Sequence, residues 1–197
     1  MSLFNIFSSM IFFVAATVTL AGAADKFTAD PAHTHIGFSV KHMVITNVKG
    51  HFKDFSVEFL HDANNLKNWS VKAIIKTASI DTDNERRDNH LRSSDFLAVE
   101  EYPEITFVSD NFEKTDDGYV AHGTLTIRGV SKSVELPFKI LGIIKDMQGN
   151  VRMGIEAGLT INRMDYGVSW DKRLDTGGLV AGNEVNIDIN AELIQQK

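Results

Sequence analysis

The sequence contains no cysteine. That excludes disulfides, thiolate metal ligands, a cysteine nucleophile and lipid attachment through an N-terminal cysteine, so the fold has to be held by packing. Proline is scarce, with three in 197 residues. Basic charge is in deficit: 20 Lys and Arg face 26 Asp and Glu, a formal net charge of -6, which argues against the basic face a nucleic-acid partner requires. G-x-S-x-G and H-E-x-x-H are both missing, and Gly177-Gly178 is no phosphate loop because no helical pattern follows it. Charge of either sign is missing from residues 1–24, where "MIFFVAATVTLAGAA" runs into the small-x-small triplet Ala21-Gly22-Ala23. Residues 1–23 therefore read as a signal peptide, and 24–197 as one domain. Left uncleaved, the same run is long enough to anchor the chain in a bilayer.

What the chain does have, after Ala24, is alternation. "NVRMGIEAGLTIN" puts Val151, Met153, Ile155, Ala157, Leu159 and Ile161 on one face. "NEVNIDINAEL" repeats the pattern with Val185, Ile187, Ile189, Ala191 and Leu193. A period of two marks half-buried strands. Similar runs in "HIGFSVKH", "VKGHFKDFSVEF", "WSVKAIIKTASI", "EITFVSDNF", "GYVAHGTLTIRG" and "SVELPFKI" raise the total to eight or nine, which predicts an antiparallel barrel or sandwich. In "VKGHFKDFSVEF" the apolar parity changes between Phe52 and Phe55, which predicts a bulge or bend at Lys53-Asp54. Pro137 cannot donate to a ladder, so its strand is expected at a seam or at an irregularity where closure is imperfect.

One segment, "DTDNERRDNHLRSSDFLAVEEYP" (81–103), lacks alternation. Thr82 followed by Glu85 reads as a capping box and predicts one or two short helices before Pro103. Leu91, Phe96 and Leu97 need an apolar surface, and an open barrel end supplies one. Residues 162–183 form a second long, glycine-rich loop. The histidines do not assemble a zinc site: His33 and His35 share a face, His42 points the other way, and no further pair appears. With no nucleophile or acid-base pair in evidence, the inward wall of Phe, Ile, Val and Leu is the remaining feature, either packed solid or enclosing one small ligand.

"DPAHTHIGFSVKHM", "RDNHLRSSDF", "YPEITF", "LTIRGV" and "INRMDYGV", occurring in series, resemble the YceI-like family of bacterial periplasmic proteins. Asp30, His33, Gly50, Asp95, Gly123, Arg128 and Arg163 are among the positions that fit its pattern. The resemblance implies an all-β, lipocalin-like antiparallel barrel of about eight strands with a short helical segment capping one end. It further implies a periplasmic location, a homodimer, and a long apolar lipid inside: a polyisoprenoid, an isoprenoid quinone or a fatty amide. Neither a cofactor, nor a metal, nor an established catalytic activity comes with it.

Phe38, Val40, His42, Phe52, Ile75, Phe107, Ile155 and Leu159 are the expected lumen contacts, with Arg87, His90, Leu91 and Phe96 at the mouth. Arg86, Arg87, His90 and Arg92 form a basic cluster suited to an anionic head group. Alternatively, Arg87 with Asp95 and Arg163 with Asp165 are ion pairs that only fasten the segment. Three functions remain open: a carrier or store of lipid; an enzyme acting on it through His42 or His90; or a filled scaffold whose 162–183 loop faces a membrane b-type cytochrome.

Overall fold

The computed structural model describes residues 24–197; the expected signal peptide lies outside the described residues. Eleven strand segments are β1 (Asp25–Ala29), β2 (His35–His42), β3 (Thr46–Phe52), β4 (Phe55–His61), β5 (Ser70–Lys76), β6 (Ile80–Asp81), β7 (Glu104–Thr115), β8 (Gly118–Ile127), β9 (Val130–Lys145), β10 (Val151–Asn162) and β11 (Ala181–Gln195). One helix, α1 (Glu85–Arg92), joins β6 to β7.

The eleven segments make eight barrel strands. β11 pairs with β2 along Ala181–Asn190 and with β1 along Leu193–Gln195, so β1 and β2 lie end to end beside it as one broken strand. β3 with β4, and β5 with β6, are broken strands in the same sense, because β2 and β1 pair with β3 and β4, and these in turn with β6 and β5. The remaining strands follow as an antiparallel meander, and the β1–β11 pairing closes the ring. The break between β3 and β4 falls at Lys53-Asp54, where the apolar parity changes. It lies against the break between β5 and β6: Lys53 N donates to Ser79 O (3.2 Å), Asp54 N to Ser79 Oγ (3.0 Å) and Lys76 N to Asp54 O (2.9 Å). Backbone groups freed by one interruption are thus satisfied by its neighbour, which lets the sheet bend without orphaned donors.

Pro137 is not at the seam. Its strand, β9, pairs with β8 along its first half, but the ladder to β10 starts only at Phe138 opposite Ala157. The expected irregularity is therefore a splay between β9 and β10, against which the 3-10 turn Arg163–Tyr166 packs. Gly50 sits opposite Phe38, whose ring passes so close that a Cβ would meet its Cζ at 2.5 Å.

At one end, here the base, aromatic rings shut the barrel. Trp69 meets Phe59 (5.3 Å), Phe112 (5.6 Å), Tyr119 (5.0 Å) and His61 (4.7 Å), and its indole N–H is satisfied by Asp62 O at 2.6 Å. Burial among these rings pushes the His61 imidazole below its ordinary pKa. Outside the barrel, Arg152 joins three parts of the chain: it bonds Asp146 (2.7 Å), Asp30 (3.0 Å) and Glu192. The guanidinium lowers the Asp146 carboxyl from its ordinary 3.8 to about 2. Since the folded value lies below the unfolded one, the pair stabilises the fold above about pH 4 and its contribution vanishes as pH falls toward 2. Asp146→Asn is expected to lower the melting temperature at pH 6 and to converge with the parent near pH 2; melting curves across that range check it.

Candidate functional site

The inward faces do not fill the barrel. They enclose a cavity of about 730 Å³, within the roughly 300–1,000 Å³ typical of small-molecule sites. Alternation builds its walls: Ile155, Ala157, Leu159 and Ile161 of β10 face Val185, Ile187, Ile189, Ala191 and Leu193 of β11, and the other strands add Phe, Val and Ile in the same way. Phe59, Phe138 and Leu193 close the base and are buried. The exposed lining residues, Lys41, Asn84, Arg86 and His90, all belong to the opposite end, where β2 ends and α1 lies. The cavity is accordingly an apolar well with a polar, basic rim.

All twelve residues expected at the site line this cavity. Phe38, Val40 and His42 come from one face of β2, with Phe52, Ile75, Phe107, Ile155 and Leu159 around them; Arg87, His90, Leu91 and Phe96 come from the capping segment. The histidine pair stays outside it: His33 Nδ1 lies 3.0 Å from Asp30 Oδ2, and the His35 ring packs against that of His51 at 5.4 Å.

The capping segment is assembled differently from expectation. Thr82 is not the N-cap, because Asp83 takes a left-handed turn (φ 58°) and Asn84 becomes the extended residue whose side chain accepts from Arg87 N (3.0 Å). Thr82 serves a latch instead. Its N and Oγ1 donate to the buried Asp88 carboxylate (3.0 and 2.5 Å), while Arg87 donates from Nε to Thr82 Oγ1 (2.7 Å) and from Nη2 to Thr82 O (2.6 Å). Arg92 is likewise committed, to the carbonyls of Ala78 and Ile80 (both 2.8 Å). The ion pair of Arg87 with Asp95 does not form. Asp95 instead lies against His90, whose Nε2–H donates to Asp95 Oδ2 (2.8 Å). Two of the four basic residues of the cluster are therefore structural ties.

Arg163 forms no ion pair with Asp165 either. It is 5% exposed, it lines the cavity, and burial lowers its pKa from the ordinary value. Its acceptors are Gly182 O (2.9 Å), Val168 O (2.5 Å), Ala181 O (3.2 Å) and Asn183 Oδ1 (3.2 Å), with no carboxylate among them.

The loop 162–183 turns toward the cavity. Tyr166, Val168, Trp170, Val180 and Ala181 line it, and Trp170 packs on Phe96 (5.3 Å) and His90 (5.4 Å) from the far side of the mouth. Sequence reasoning missed these residues because glycine-rich composition masked a short run of period two, Tyr166, Val168, Trp170, with exposed residues between.

Known proteins share this architecture. Residues 27–193 match the YceI-like domain. A UPF0312 protein of Staphylococcus epidermidis is 38% identical over 85% of this chain and 96% of its own. A Campylobacter jejuni YCEI protein of known structure is 35% identical with a TM-score of 0.69, over 85% of this chain and 96% of that one. A polyisoprenoid-binding domain from Saccharophagus degradans, implicated in plant cell wall breakdown, aligns with a TM-score of 0.63 at 14% identity, over 89% of this chain and all of its own. The chain belongs to the YceI-like family.

Proposed function

We propose that this chain binds a long apolar lipid, a polyisoprenoid or a molecule with a similar tail such as an isoprenoid quinone or a fatty amide, inside the barrel and carries or stores it in the periplasm. The observation that carries this reading is the open apolar well, closed by aromatics at the base and rimmed by polar groups at the mouth. The polyisoprenoid-binding domain of S. degradans, which shares the fold, supports it. Burying a chain gains about 0.8 kcal/mol per CH₂, so ten groups contribute roughly 8 kcal/mol before association costs. The twelve expected residues would form the tail's wall and the mouth.

A filled scaffold that displays its 162–183 loop to a b-type cytochrome fits less well, because the loop commits Tyr166, Val168 and Trp170 to the cavity. For catalysis, His90 beside Asp95 has the geometry of a base with its orienting acid, yet a base needs a nucleophile or a substrate proton within reach, and its ring otherwise packs on Phe96 and Trp170. A homodimer is supported by Leu141, Ile143, Ile144 and Met147, exposed together on the β9–β10 hairpin.

Organic extracts of the purified native protein, analysed by mass spectrometry, should contain a long-chain apolar molecule recovered unchanged after prolonged incubation. Sedimentation of the same sample should give twice the chain mass. Extracts holding only buffer components would refute binding, chemical conversion of the lipid would make the protein an enzyme, and a monomer mass would remove the dimer.

A further inference from the structure

The polar groups of the cavity are one-sided. Among the described residues, the charged side chains that line it are Lys41, Arg86, Arg87 and Arg163, and no Asp or Glu does so. This holds in a chain whose net charge is -6, so the imbalance is local and opposes the whole. Arg87 is consumed by Thr82. Lys41 and Arg86 are exposed at the rim and make no ion pair among the described residues.

Arg163 is the informative member. A guanidinium carries five N–H donors and a full charge that cannot be shed in a folded protein. Four of its donor contacts go to neutral oxygens: Nε to Gly182, Nη1 to Val168, and Nη2 to Ala181 and Asn183. That leaves, among the described residues, one Nη1 N–H without an acceptor and the charge with no carboxylate bonded to it, Asp171 acting on it only through space, at a cavity wall of low dielectric where a charge not paired in contact is costly. The same site lies where β2 begins its turn: Ala181 is opposite His42, and Lys41 packs against Gly182, whose carbonyl Arg163 holds.

Resting on the lipid-binding reading above, we infer that the lipid carries an anionic head, a carboxylate or a phosphate, held by Arg163 at the top of the well with Lys41 and Arg86 at the rim. The apolar well takes the tail, and the head supplies the missing acceptor and an anion in direct contact with the guanidinium. A merely structural Arg163, one that fastens the 162–183 loop, would make no distinction between charged and neutral heads.

The test titrates delipidated protein with hexadecanoate, hexadecyl phosphate and hexadecanol by calorimetry. One or both anionic ligands should bind about tenfold or more tighter than the alcohol, the difference expected of a charge-assisted contact. Arg163→Gln should remove that preference, the anions losing about tenfold more affinity than hexadecanol, whose own loss reads out any loosening of the 162–183 loop. Because Arg163 also ties backbone, the rim variant Lys41→Gln/Arg86→Gln, exposed and free to fold, provides a second arm: it should lower anion affinity a few-fold, with a weaker dependence on salt. Equal affinity of the parent for all three ligands overturns the anionic head, as does a preference that survives both variants. Failure of every ligand, hexadecanol included, instead overturns lipid binding itself. Between the two anions, whichever binds tighter identifies the head as carboxylate or phosphate.

Discussion

Ile155→Arg is expected to yield a folded barrel from which organic extraction returns no lipid. Ile155 stands midway along β10, between Ile140 of β9 and Ala191 of β11, and its side chain lines the well. A guanidinium there meets neither a carboxylate nor the ring of carbonyls that accommodates Arg163 at the mouth, and the effective penalty for an ion so placed is on the order of several kcal/mol. The empty barrel can lessen that penalty by admitting water. A lipid tail cannot, because its own gain depends on a dry wall. The charge therefore acts against the loaded state more than against the empty one, and loading falls by several orders of magnitude while circular dichroism stays that of a β-barrel. Ala191→Phe, directly across the ladder, separates charge from volume: it narrows the well with apolar atoms and should exclude the longest chains only. If Ile155→Arg co-purifies with as much lipid as its parent, the well is not where the tail resides.

The walls of this site were legible in the chain because a strand with one wet and one dry face must alternate, and β10 does so from Val151 to Ile161 and β11 from Val185 to Leu193. The bend at Lys53-Asp54 was legible for the same reason, since a change of parity cannot be carried by a straight strand. Which strands meet at the seam was not. The β1–β11 and β2–β11 pairings join residues far apart in sequence, and no local preference records them. Nor was the division of labour among the basic residues. "ERRDNHLR" shows four basic side chains on one helical segment, Arg86, Arg87, His90 and Arg92, but whether each one reaches solvent, a carbonyl or the cavity depends on tertiary neighbours: Arg92 finds Ala78 and Ile80, and Arg87 finds Thr82. Arg163 was hidden by the neighbouring Asp165, a partner by sequence that the turn Arg163–Tyr166 leaves exposed on its other side.

The latch of the capping segment gives the second large effect. Arg87→Gln should weaken hexadecanoate and hexadecanol alike and lower the melting temperature of the empty protein. Arg87 holds Thr82 through both its hydroxyl and its carbonyl, and Thr82 in turn supplies two donors to Asp88, a carboxylate buried under α1. Loss of the guanidinium leaves the Thr82 carbonyl without that partner and frees the Thr82 hydroxyl that bonds the Asp88 carboxylate. Breaking part-buried, charge-assisted bonds of this kind costs about 1–3 kcal/mol, or roughly 2–4 °C per kcal/mol in a chain of this size. Leu91, Phe96 and Leu97 ride on the same segment and line the upper well, so a loosened latch removes part of the tail's cover whatever the head carries. The response differs in kind from that of Arg163→Gln, in which the anions lose more affinity than the neutral ligand. Should Arg87→Gln instead spare hexadecanol and the melting temperature and lose only the anion, the head group sits against α1, and the assignment of Arg87 to the latch is wrong.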